Sequence, residues 1–270
     1  MSEHTLPLCI GGLGVSIACS QTALAEALAR RYAAFTSPAE VYCRVEITWQ
    51  PGNDSRPLMP GADGLRWEAD GSPVFAAPHY RGQISLAEKR AALYLTAPNP
   101  VEGVDYFLRV VYALLAFRAG GALFHAAAVV RRGRAFLFFG PSGSGKTTVS
   151  AFSSAYRVLN DDLVLLLPRG DAWHAYATPF WNPTQVRPSP GHAPVAVFLR
   201  LVQSPRLYTE ALRGATAQAE FLACLPVLPT NAAFVPALLS LGRSILKRIP
   251  MYRLHFPKDD TFWTLVDTLV

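Results

Sequence analysis

An α/β fold in two parts is what this 270-residue chain predicts: a larger α/β domain behind a smaller N-terminal α+β domain. Three observations carry that expectation. An apolar run, a glycine-rich loop and a helix-forming segment follow one another over 135–156. From residue 99 onward, apolar strands alternate with short helices. Before it come short alternating strands and one amphipathic helix.

Hydrophobic residues make up 51% of the chain and charged residues 16%, a balance that fits a packed globule and excludes long disordered tails. No apolar run approaches the roughly 20 residues of a membrane span, so no membrane association is expected. The opening "MSEHTLPLCI" lacks a basic-then-apolar secretory pattern, which predicts a cytoplasmic location. Cys9, Cys19, Cys43 and Cys224 show no metal-ligand or pairing spacing and read as small buried hydrophobes. The net charge of +6 would suit a phosphate-rich partner. The arginines are scattered without interleaved aromatics, which speaks against nucleic acid.

In residues 1–98, "LPLCIGGLGVSIACS" predicts two short strands about a glycine turn. Gly12-Leu13-Gly14 there lacks the third glycine of a dinucleotide loop and reads as an ordinary turn. A helix follows, capped by Ser20, with Leu24, Ala27, Leu28, Tyr32 and Phe35 on its apolar face. "VYCRVEITWQ" alternates as a strand until "PGNDSRP" breaks it, and "GLRWEAD" and "QISLAE" supply further short strands. "APNP" at 97–100 marks a boundary, giving domains 1–98 and 99–270. "VEGVDYFLRVVYALLAFRAGG" then predicts a buried helix stopped by Gly120 and Gly121.

Gly140-Pro141-Ser142-Gly143-Ser144-Gly145-Lys146-Thr147 satisfies the phosphate-loop pattern in full, with Thr148 next in the nucleotide-binding set. Glycines let backbone N–H groups point at phosphate oxygens beside the positive end of the following helix. Lys146 adds a mobile charge for the β- and γ-phosphates, and the Thr147 hydroxyl can ligate Mg²⁺. ATP or GTP is the expected ligand.

Upstream, "LFHAAAVVRRGRAFLFFG" reads as a hairpin with Arg132 and Gly133 at its tip. Pairing Arg131 with Arg134 sets His125 opposite Gly140, at the mouth of the loop. Asp161 and Asp162 follow Lys146 after a short helix and a tight "SAYRVLN" connection, at the entrance to the strand "DLVLLL". Neighbours in a strand point to opposite faces, so one carboxylate can take a proton from an attacking hydroxyl while the other holds Mg²⁺.

"FHAAAV", "GPSGSGKTT" and "LNDDLVLL" together resemble the histidine, phosphate-loop and double-aspartate motifs of the HPr kinase/phosphorylase family. Its wider relatives include ATP-dependent phosphoenolpyruvate carboxykinases and precursor-peptide kinases of lasso-peptide clusters. The resemblance spans roughly 100–270. It implies a phosphoenolpyruvate-carboxykinase-like catalytic fold, with ATP and Mg²⁺ as cofactors. It also implies Asp161 as general base toward a serine hydroxyl, Asp162 and Thr147 on the Mg²⁺ side, Lys146 on the β- and γ-phosphates, and His125 steering the carboxylates. The family's later acidic segment, tied to metal binding and phosphorolysis, is replaced by "YATPFWNPTQVRPSPG". The front half is unlike the HPr enzyme's N-terminal domain, which argues against HPr as acceptor.

"TPFWNPTQVRP", with Trp181 and Arg187, has the composition of a rigid substrate-facing loop. "APVAVFLRLVQ" reads as a core strand, and "FLACLPVLPTNAAFVPALLSLGRSILKRIP" as helices broken by prolines. "MYRLHF" is a strand, and "KDDTFWTLVDTLV" a closing helix capped by Asp259 and Asp260. The functional expectation is an ATP-dependent kinase acting on a serine-type hydroxyl of a peptide, protein or small molecule, with homo-oligomer formation left open. The alternative is a non-catalytic ATP-binding sensor or accessory module.

Overall fold

The computed structural model describes residues 3–52, 65–77, 79–181 and 186–270. The chain folds as two compact units, Met1–Leu115 and Ala116–Val270. Both are mixed α/β. Parts of the "PGNDSRP" break and of the "TPFWNPTQVRP" loop lie outside the described residues.

Unit 1 carries seven strands among its described residues: β1 (His4–Ile10), β2 (Leu13–Cys19), β3 (Val41–Trp49), β4 (Leu65–Trp67), β5 (Pro73–Ala77), β6 (Tyr80–Ser85) and β7 (Arg90–Leu95). Their order in the sheet is β1-β2-β3-β7-β6-β5-β4. Gly11 and Gly12, both at positive φ, turn β1 into β2. Helix α1 (Thr22–Tyr32) connects β2 to the parallel β3 and buries Leu24, Leu28 and Tyr32. Ser20 is not its cap: the N-cap position is Gln21, whose amide donates to the Trp49 carbonyl instead.

Helix α2 (Pro100–Arg118) begins in this unit, where Phe107 lies against Gly82 closely enough that a Cβ there would stand 2.5 Å from its ring. Asp105 is held by Arg31 and by the Tyr32 hydroxyl. Burial raises its carboxyl pKa against the pull of Arg31.

Unit 2 opens as α2 ends. Gly120 sits at φ +75° and Gly121 N–H returns to the Ala116 carbonyl. Nine strands follow among the described residues: β8 (Ala122–His125), β9 (Ala127–Arg131), β10 (Arg134–Phe139), β11 (Arg157–Asn160), β12 (Leu163–Arg169), β13 (Ala172–Tyr176), β14 (His192–Gln203), β15 (Tyr208–Leu212) and β16 (Met251–Phe256). The helices are α3 (Lys146–Phe152), α4 (Gly214–Ala223), α5 (Val235–Leu246) and α6 (Phe262–Val266).

The long β14 belongs to two sheets. Its first residues pair with β13, which continues through β12 to β8. Its later residues pair in parallel with β10 on one side and β16 on the other. β9 and β11 extend the β10 side, and β15 closes the other edge. Phe136, Phe138, Val197, Leu199, Phe262 and Trp263 lie in the core beneath the parallel strands. The closing helix is only five residues long, and Asp259 bonds the Thr261 N–H just ahead of it.

The Arg132-Gly133 hairpin forms in the expected register, Arg131 opposite Arg134, with both tip residues at positive φ. His125 does not continue that ladder to face Gly140. The β9–β10 pairing ends at Ala127, and β8 crosses to the second sheet, where His125 pairs with Leu163. The segment before the aspartates is likewise more than a connection: Arg157–Asn160 forms β11, hydrogen-bonded to β9.

Candidate phosphate-binding site

Three parallel strands, β10, β14 and β16, run in the same direction and end at one edge of their sheet, the edge where α/β folds place ligands. The loop 140–145 leaves β10 there, Gln203 ends β14, and Lys258 lies just past β16. β8 ends and β12 begins at the facing wall, bringing His125 and Asp162. A cavity of about 380 Å³ lies between, lined by Ser142, Gly143, Lys146, Thr147, His125 and Asp162, together with Gly145, Thr148, Gln203 and Lys258.

The loop's shape depends on glycine at two points. Gly140 has φ +149°, and a Cβ there would sit 2.8 Å from the Ser144 hydroxyl. Gly145, the residue before α3, has φ +111°, and its Cβ would press on the Phe256 ring at 3.0 Å. Gly145→Ala is therefore expected to lower stability by about 2 kcal/mol through backbone strain. Urea unfolding of the variant, with an unchanged midpoint, would show that the strain is absent. Gln203 props the loop by donating to the Gly143 carbonyl at 2.7 Å. Lys146 Nζ donates to the Gly140 carbonyl at 2.9 Å and the Pro141 carbonyl at 3.3 Å. Burial lowers the Lys146 pKa, opposed by Asp162 and Asp161.

The aspartates occupy a bend between β11 and β12 whose shape is set by Asn160. The Asn160 Oδ1 accepts from the N–H groups of Asp162 (2.7 Å) and Leu163 (3.1 Å). Its amide nitrogen donates toward the Thr178 carbonyl, the Thr178 hydroxyl and the Phe180 carbonyl. Thr178 in turn donates to the Leu163 carbonyl at 2.7 Å. Asn160 and Thr178 are fully buried.

The bend gives the two acids different surroundings. Asp162 faces the cavity, 3.0 Å from His125 Nε2. Asp161 is buried and does not line the cavity. Its Oδ2 accepts from Val186 N–H at 3.4 Å, and its Oδ1 has no partner among the described residues. Burial, reinforced by the Asp162 charge, pushes its pKa up to about 6 against the opposing Val186 bond and Lys146.

Gly143, Gly145, Ser142, Lys146, Thr147, Thr148, His125 and Asp162 thus meet around one space. Gly140, Pro141 and Ser144 shape the loop behind it, and Arg187 is exposed elsewhere. Asn160 stands in the double-aspartate motif and Thr178 in the "TPFWNPTQVRP" loop, neither with an assigned role, and Gln203 and Lys258 stand in no motif. Their signal in the sequence was position alone: a polar residue immediately before the acids, or just beyond an apolar strand.

A family model described as "SynChlorMet cassette protein ScmC" matches residues 103–191, the stretch that holds the loop, His125 and both aspartates. No match to this chain was found among curated proteins. Among solved structures, the Hpr(Ser) kinase/phosphatase from Coxiella burnetii is similar over 54% of this chain and 87% of that one, at 14% identity and a TM-score of 0.30. A superposition that loose transfers no residue roles. No helix among the described residues is long and apolar enough to cross a membrane.

Proposed function

We propose that this chain is an ATP-dependent kinase that moves the γ-phosphate to a serine-type hydroxyl of a peptide, protein or small-molecule acceptor. The observation that supports it is the single cavity in which Lys146 and Thr147 face the His125–Asp162 pair. A phosphate loop alone would serve binding; a loop opposed by an acid and an imidazole has the groups that phosphoryl transfer uses.

In this reading the acceptor oxygen forms a bond to the γ-phosphorus as the bond to the β–γ bridging oxygen breaks, and ADP leaves. The hydroxyl proton passes to the Asp161 carboxylate, a step that requires this buried side chain to turn into the cavity when substrates bind. A carboxylate with a pKa near 6 is a better proton acceptor than an ordinary one and is still ionised at neutral pH. Lys146 and the loop N–H groups offset phosphate charge. His125 holds Asp162 in position, and Lys258 adds a second cation to the wall.

Thr147 and Asp162 are hard oxygen donors lining the same space, and no cluster of three or more His, Cys, Asp or Glu occurs among the described residues. That donor set suits Mg²⁺, which takes one or two protein oxygens and completes its shell from phosphates and water. When bound, the ion neutralises charge on the phosphates.

The match to a family of cassette proteins supports seeking the acceptor among products encoded beside this chain. The test is incubation with labelled ATP, Mg²⁺ and those candidates. Lys146→Ala and Asp162→Asn are each expected to lower transfer by about 10²-fold or more. Transfer that survives both unchanged would reject this cavity as the reacting site. Asp161 lying outside the cavity lining favours the second reading, a module that binds ATP without catalysis; it requires tight ATP binding and no phosphorylated product from any candidate.

A further inference from the structure

β11, which leads into the two aspartates, is an edge strand: β9 pairs with one side of it, and residues 186–192 lie along the other. Their sequence, "VRPSPGH", makes a stiff segment with few donors. Pro188 and Pro190 fix their own φ and carry no N–H. Ser189 N–H, between them, donates to the Val158 carbonyl at 2.9 Å, and Pro188 is buried. Val186 packs against the core beneath the parallel strands, and its N–H reaches Asp161 Oδ2 at 3.4 Å.

The far end of the segment is fastened three times. Ala177 N–H donates to the Gly191 carbonyl at 2.9 Å. The Arg157 guanidinium donates to the His192 carbonyl at 3.2 Å and lies across Gly191, where a Cβ would stand 3.1 Å from it. The His192 ring meets His174 on β13, Nδ1 to Nδ1 at 2.9 Å, while its Nε2 faces Arg169. Arginine can only donate, so His192 Nε2 accepts, its proton sits on Nδ1, and that N–H donates to a neutral His174. Burial, and after it the neighbouring cationic side chains, lowers the pKa of both rings, which are uncharged at neutral pH.

Asp161 itself is held loosely. Its contact with Val186 N–H is long for a hydrogen bond, and its Oδ1 has no partner among the described residues. A buried carboxylate oxygen without a partner costs free energy, so little opposes a turn towards Lys146 and the phosphates beside it. The tight fastening of 186–192 and the loose hold on Asp161 together make a seat that the side chain can leave.

We propose that residues 186–192 form a strap that seats Asp161 away from the cavity, and that Arg157 and His192 are positioning residues that hold the strap against β11. The strap's purpose, keeping the base back from the γ-phosphate until an acceptor hydroxyl arrives, rests on the kinase reading; its geometry does not.

The test is carbodiimide labelling of carboxyl groups in the full chain with glycine ethyl ester, resolved to single residues by fragment mass spectrometry. In the wild type Asp161 should label more slowly than Asp162. Arg157→Ala with His192→Leu should speed Asp161 labelling by about tenfold, because lost hydrogen bonds favour local opening of the strap. Asp267, ion-paired with Arg131, should keep its wild-type rate. Arg157→Lys, which retains a donor for the His192 carbonyl, should label as the wild type does. If the double variant fails to fold, Arg157→Ala alone is compared with Arg157→Lys. Equal labelling of Asp161 and Asp162 in the wild type would overturn the proposal, as would an unchanged Asp161 rate in the alanine variants. A rise shared by Asp267 would mean general loosening of the sheet and overturn it too. Faster Asp161 labelling without phosphorylated product from any candidate would uphold the strap and reject the kinase reading.

Discussion

Asp161→Asn is expected to lower phosphoryl transfer by about 10²- to 10⁴-fold while leaving ATP affinity unchanged, and to make the protein more stable at neutral pH. The two effects have one cause. Burial raises the Asp161 pKa from 3.8 to about 6 in the folded chain. A group whose folded pKa lies above its unfolded value favours folding while protonated, and that contribution is lost as pH rises through the folded value. Stability attributable to Asp161 is therefore fully present below about pH 4 and gone above about pH 6, a difference of about 3 kcal/mol.

The asparagine variant carries no charge to bury, so its urea midpoint should exceed that of the wild type at pH 7.5 and converge with it below pH 4. Wild-type transfer should rise with pH through about 6 as the base ionises. Undiminished transfer in the variant would reject Asp161 as base. Parallel stability curves across the whole range would show that its carboxyl is not held up by burial.

Asn160→Ala is expected to cost about 3 kcal/mol or more in urea unfolding, because it removes several hydrogen bonds at once from a fully buried side chain. The N–H groups of Asp162 and Leu163 lose their acceptor, and the Thr178 and Phe180 carbonyls lose their donor. The same loss frees the bend that aims Asp162 at His125, so transfer should fall together with stability. Asn160→Asp keeps the acceptor and removes the donor, and should fall between alanine and the wild type. A wild-type midpoint in the alanine variant would mean the network does not hold the bend.

Local chemistry made much of this molecule legible from its residues. The loop 140–147 and its flanking strand are written in contiguous residues, since glycine spacing and an apolar run act over a few positions. The Arg132-Gly133 hairpin register followed from a two-residue turn. The helix after the loop is shorter than its composition implied, ending at Phe152, with turns through 153–155 ahead of β11. His125 reached the cavity by a route the hairpin could not reveal: β8 leaves the β9–β10 ladder and pairs with β12.

What the sequence determined by itself was the glycine-rich loop 140–147, its strand and the nearness of two acids in the chain. Only the tertiary structure decided that Asp162 faces the cavity while its neighbour Asp161 is buried, and that Gln203 and Lys258 join from distant strands. Contiguous patterns report interactions between near neighbours. The surroundings of a carboxylate depend on segments brought together across the fold, whose separation in sequence carries no such signal.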